Sequence, residues 1–208
     1  MARVAGPSAI AGGALWAFGA VGWLLTHGTQ VNPSEARLLG LRGTEFTQIL
    51  AVATLLWLIA LAGSFAGSAR LARTAWALAV MGVVMIGVGA VFETSILDPD
   101  ANFRHPIVQS GWLLFLFGLV PTLSFGMLGL AAWTRDRRSI RTASALIGAA
   151  APLPVVAFTI GGIAAEGAGF VVALALLHAA PGIGWIVFGL ARRRVPSVVP
   201  EPAVVMAA

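Results

Sequence analysis

The chain contains no cysteine and no lysine, and only 10% of its 208 residues are charged. Without cysteine there is no disulfide, no thiolate metal site and no thiol redox chemistry, and the redox compartment stays undetermined. Without lysine there is no Schiff base to retinal or pyridoxal and no phosphate-loop lysine, so no lysine-linked cofactor. Any other cofactor stays unknown. All thirteen basic residues are arginine. They sit in short clusters between apolar runs rather than on one face, so nucleic acid is not an expected partner.

What the chain has in quantity is apolar surface: 59% of its residues are hydrophobic and the mean hydropathy is +0.92. Soluble domains run nearer 45–50% apolar and about 25% charged, and a soluble chain of this composition would aggregate through exposed apolar patches. Most of it is therefore expected to be dissolved in lipid. Six apolar runs, near 8–26, 47–66, 74–93, 110–133, 142–164 and 168–191, are long enough to cross a hydrocarbon core. Such a core is about 30 Å thick and takes roughly 20 helical residues. Helices are required because lipid offers an unpaired amide no partner, and the period-two alternation of a barrel strand is missing. The expected fold is an all-α integral membrane protein, a six-helix transmembrane bundle forming one domain over 1–195. The proline-containing stretch 196–208 reads as a disordered tail.

Arginine sets the expected orientation. Arg3, Arg70, Arg73, Arg135, Arg137, Arg138, Arg141, Arg192, Arg193 and Arg194 fall on one side, and only Arg37, Arg42 and Arg104 on the other. The bias places both termini in the cytoplasm, in a bacterial plasma membrane. No small-residue cleavage site follows the first run, which reads as a retained anchor.

The outer side then collects most of the acids. The stretch "FETSILDPDANFRHP" carries Glu93, Asp98, Asp100, Arg104 and His105. Together with His27 and Glu166, these residues could gather at the outer helix ends. Imidazole with carboxylate suits a transition metal, so His27, Glu93, Asp98 and His105 form a candidate metal set. "DPD" is equally an ordinary turn, and a solvated loop explains the stretch without any ligand. Haem ligation needs two histidines at matching depth, and neither His27 nor His105 pairs naturally with His178.

Proline divides the chain in two. Pro121, Pro152, Pro154 and Pro181 lie inside the last three spans. Each removes a helical hydrogen bond and displaces the carbonyl four residues earlier, at Phe117, Gly148, Ala150 and Leu177. Such breaks persist in membranes where neighbours or a cavity satisfy the backbone again, so a cavity is expected among helices four to six. His178 in "ALLHAAPGIGW" is the ionisable side chain set deepest, about 15 Å below Ala168 at about 1.5 Å per residue. Buried ionisable groups in membranes are functional candidates by default; the alternative is a neutral imidazole bonded to a freed carbonyl. His178, Pro121, Pro152, Pro181 and Trp185 are the expected ligand pocket, with His178, Glu93 and Asp98 as candidate catalytic groups. Two stretches, "GWLLTHG" and "GWLLFLFG", echo each other in the first and fourth spans, as an inverted repeat would.

A second site combines Ser124 in "VPTLSFGMLG" with His178. Six helices with a serine on the fourth and a histidine on the sixth resemble the layout of rhomboid intramembrane proteases. The resemblance implies a serine hydrolase with Ser124 as nucleophile and His178 as base. The chain departs from that pattern: Thr122 stands where the serine motif has its first glycine, and "ILAVATLLWLIALAG" lacks the histidine and asparagine of the second helix.

Four functions follow. The favoured one is binding or transformation of a lipophilic molecule, an isoprenoid, quinone or lipid, among helices four to six. Others are an accessory or scaffold subunit packed on a partner membrane protein, a rhomboid-like hydrolase, and a polar-solute transporter, for which the spans carry little polar lining. Whether the protein is an enzyme stays open.

Overall fold

The computed structural model describes residues 2–27, 37–64, 69–93, 106–134, 138–157 and 168–193. Asp98, Asp100, Arg104, His105, Glu166, the His27 side chain and the tail 196–208 lie outside the described residues. Among the described residues there are six helical rods long and apolar enough to cross a membrane, as an all-α integral membrane protein requires.

The first three rods are α1 (Ala2–His27), α2 (Gly43–Ala62) and α3 (Arg70–Glu93). The fourth is composite: α4 (Pro106–Phe117) runs through a π-helical stretch, Gly118–Ser124, into α5 (Phe125–Trp133). The fifth is α6 (Arg138–Ala150), which breaks in a turn at 151–152 and resumes as α7 (153–157). The sixth is α8 (Ala168–Arg193), helical straight across Pro181.

Two features differ from the sequence expectations. The helix α1 starts at Ala2, so Pro7 lies inside the first span, which was expected to hold none. Its place near the exposed start of the helix, beside exposed Arg3 and Val4, keeps the missing bond in reach of polar surroundings. Ahead of α2, where a plain loop was expected, strands β1 (Arg37–Leu38) and β2 (Leu41–Arg42) form a hairpin pairing Arg37 with Arg42. Leu39 and Gly40 both have positive φ, 54° and 83°, which is the backbone a two-residue primed turn needs. Glu45 then accepts the Arg42 backbone N–H at 2.6 Å and caps the start of α2.

The rods close into a ring in chain order. Helix α1 packs on α2 and α8, α2 on α3, α3 on the fourth rod, α5 on α6, and α6 on α8. Large apolar side chains such as Phe18, Leu55, Val84, Phe117, Phe125, Leu146 and Leu176 cover the outside. That exposure would be a liability in water and is the expected surface in lipid. Inside, Trp16, Trp57 and Trp185 stack in a column, with centroids 4.7 Å apart between the first two and 4.9 Å between the last two.

Lipid gives helices no hydrophobic reason to associate, so close backbone packing has to do so. The α1–α8 seam shows how. Gly13 faces Gly182 and Gly6 faces Gly189, and a methyl on any of the four would meet the opposite backbone or the neighbouring side chains. Gly182→Val is therefore expected to lower unfolding free energy in detergent by about 1–3 kcal/mol through overpacking. An unchanged midpoint in a denaturant titration would show that the seam has slack.

Candidate functional site

The site begins with the carbonyls that the prolines release. Thr122 donates its hydroxyl to the Phe117 carbonyl at 2.8 Å and to that of Gly118 at 2.7 Å, closing the gap left by Pro121. Ser124 donates to the Gly148 carbonyl at 2.6 Å, across from the fourth rod to the fifth, where Pro152 has removed the usual donor. On the sixth rod the Trp16 indole N–H donates at 3.0 Å to the His178 carbonyl, the neighbour of the Leu177 carbonyl that Pro181 frees. Thus the gaps left by Pro121 and Pro152 are met by hydroxyls, the second of them from a different rod.

The Trp16 bond starts a circuit of rings. Trp16 stacks on Phe115 at 5.9 Å, and Phe115 meets Trp112 edge-on at 6.2 Å. Trp112 is tilted against Trp23 at 5.7 Å, and Trp23 stacks on the His178 imidazole at 5.8 Å. The Trp16 bond to His178 closes the loop. All five side chains line one small cavity of about 30 Å³, together with Glu93 and the apolar Ala20, Leu50, Leu116, Pro154 and Val155. At about 10–15 Å³ per water it holds some two water-sized groups. It lies toward the end of the bundle where α1 and α3 finish and α4 and α8 begin.

Two polar groups face this space. Glu93, at the last turn of α3, accepts the Trp23 indole N–H through Oε1 at 3.1 Å. The His178 Nδ1 lies 3.1 Å from the Leu174 carbonyl one turn earlier. A carbonyl only accepts, so Nδ1 carries a proton, and in the neutral ring Nε2 is then the acceptor. Among the described residues neither Glu93 Oε2 nor His178 Nε2 has a hydrogen-bond partner, and no arginine lines the cavity.

The structure thus brings His178 and Glu93 onto one cavity. Pro121, Pro152, Pro181, Trp185 and Ser124 are not among its lining residues, whereas Pro154 is. Trp185 packs in the central column between Trp57 and Phe188. The cavity draws on α1 as much as on the proline-bearing rods. Among the described residues no group of three or more metal-ligating side chains comes together.

Trp16, Trp23, Trp112 and Phe115 were not singled out from the sequence as a site. A signal existed: Trp23 and Trp112 are the tryptophans of the two echoing "GWLL" stretches, and they face each other here. Compared with family models, curated proteins and solved structures, the chain has no match.

Ser124→Ala should leave the Gly148 carbonyl without its donor and lower stability by about 1 kcal/mol, the usual net value of one hydrogen bond. Unfolding of the variant in mixed micelles measures it; a loss near zero would mean the carbonyl finds another donor.

Proposed function

We propose that the protein binds an amphiphilic small molecule, with the polar head in the Glu93–Trp23–His178 cavity and the apolar part against the bundle. The observation that carries this reading is the linkage of one carboxylate and one imidazole through Trp23 on a single aromatic-walled cavity. Polar side chains at membrane depth are costly and are retained where they act, and here two of them converge. The isoprenoid, quinone and lipid classes all fit such a division into a small polar head and a long apolar part. A cavity of about 30 Å³ accommodates the head alone, so the chain of such a ligand lies along the helices.

The glycines favour this reading over an accessory subunit. A scaffold would keep small residues on its outer face for a partner. Instead Gly13, Gly82, Gly89, Gly111, Gly126 and Gly182 are spent on contacts inside this chain. The hydrolase reading would need the Ser124 hydroxyl proton free for a base, and here it is directed at the Gly148 carbonyl.

Native mass spectrometry of protein extracted gently from its own membrane tests the binding. A co-purifying small molecule that disappears in His178→Ala and Glu93→Gln is the expected result. Bare protein in wild type and both variants would overturn it.

The arginine bias supports a plasma-membrane orientation with both termini cytoplasmic. Because the chain has no cysteine, single cysteines report sidedness without background. Leu39→Cys, in the hairpin, should react with an impermeant maleimide on intact cells, and Ser139→Cys, at the start of α6, only after permeabilisation. The reverse pattern would invert the topology.

A further inference from the structure

We infer that the head bound in this cavity is a primary ammonium, so that the ligand is a lipophilic amine. This rests on the binding reading above and adds the charge and size of the head. Two acceptors face the cavity. Glu93 uses Oε1 on Trp23 and keeps Oε2; His178 uses Nδ1 on Leu174 and keeps Nε2. The Trp23 and Trp16 indole N–H groups already point at Glu93 and at the His178 carbonyl. A buried carboxyl either takes up a proton or finds a counter-charge, because burying an unpaired anion is expensive, and a bound ammonium supplies the counter-charge. No arginine among the lining residues supplies one.

The walls select the kind of cation. Trp16, Trp23, Trp112 and Phe115 present four aromatic rings around the space, and ring faces attract ammonium groups. A hard metal ion would want six or more oxygens, and this cavity shows one carboxylate. Size then separates the ammonium types. A primary ammonium is close to a water molecule in bulk, which suits a cavity of about 30 Å³, and a trimethylammonium is several times larger. Three N–H donors match Glu93 Oε2, His178 Nε2 and a ring face. The apolar tail leaves between the rods toward lipid.

The test uses the full-length protein in nanodiscs and follows tryptophan fluorescence as ligand is added, with empty discs as the partition control. The probes are n-butylamine, n-butanol and butyltrimethylammonium, which share a tail and differ in charge or head size. Saturable binding of butylamine, with butanol and butyltrimethylammonium at least about tenfold weaker, is expected from the worth of a charge-assisted hydrogen bond. Glu93→Gln should weaken butylamine by about tenfold to a hundredfold and bring it level with butanol. Glu93→Asp, which keeps the charge, should retain part of the affinity and shows that the bundle tolerates change there. Equal binding of butylamine and butanol, or butylamine affinity unchanged in Glu93→Gln, would overturn the ammonium assignment and leave a cavity that takes an uncharged head. Failure of all three probes to saturate would overturn both the assignment and the binding reading.

Discussion

In hydrocarbon a backbone carbonyl without a donor has no water to turn to, and most of this structure answers that constraint. Prolines disturb the fourth and fifth rods, as a π-helical stretch at Pro121 and a turn at 151–152, while the sixth runs helical across Pro181. The repairs come from Thr122 and Ser124, the latter crossing between rods, and Trp16 adds a bond from the first rod to the His178 carbonyl of the sixth. A proline break is thereby turned into a cross-link. The Ser124 bond ties the fourth rod to the fifth, and the Trp16 bond ties the first to the sixth. With glycine seams that let the backbones approach, these bonds close six rods into one ring.

The same constraint places the cavity. Because Trp16 is committed to the His178 carbonyl, its ring stands beside the imidazole's own turn of α8 and faces Phe115. The remaining rings complete the circuit, and Glu93 meets it from the end of α3 through Trp23. The interior therefore separates into two zones. Around Trp57 and Trp185 it is a filled aromatic column, and around Trp23 it is an open space with two acceptors. Packing and binding share α1, whose Trp16 belongs to both.

Much of this was legible in the sequence. Six rods followed from hydropathy alone, and the carbonyls of Phe117 and Gly148 could be named from proline spacing before their donors were known. His178 and Glu93 stood out because ionisable groups are scarce in the spans. Their meeting was not legible, since helix order around a ring and rotation about each axis are set by packing between distant segments. The facing of Trp23 and Trp112 was hidden for the same reason: hydropathy places a tryptophan in depth and not in azimuth. The hairpin at Arg37–Arg42 went unseen because Leu39 carries no turn signature; only its following Gly40 does.

The central claim is that Trp23 joins Glu93 to His178 at the cavity. Nitrogen-15 labelling of tryptophan gives one indole resonance for each of the seven tryptophans, each assignable by substitution. Glu93→Gln should move the Trp23 indole resonance strongly upfield, as its acceptor loses charge, while the Trp16 resonance, bonded to the His178 carbonyl, stays in place. A Trp23 resonance indifferent to Glu93 would contradict the linkage and, with it, the site.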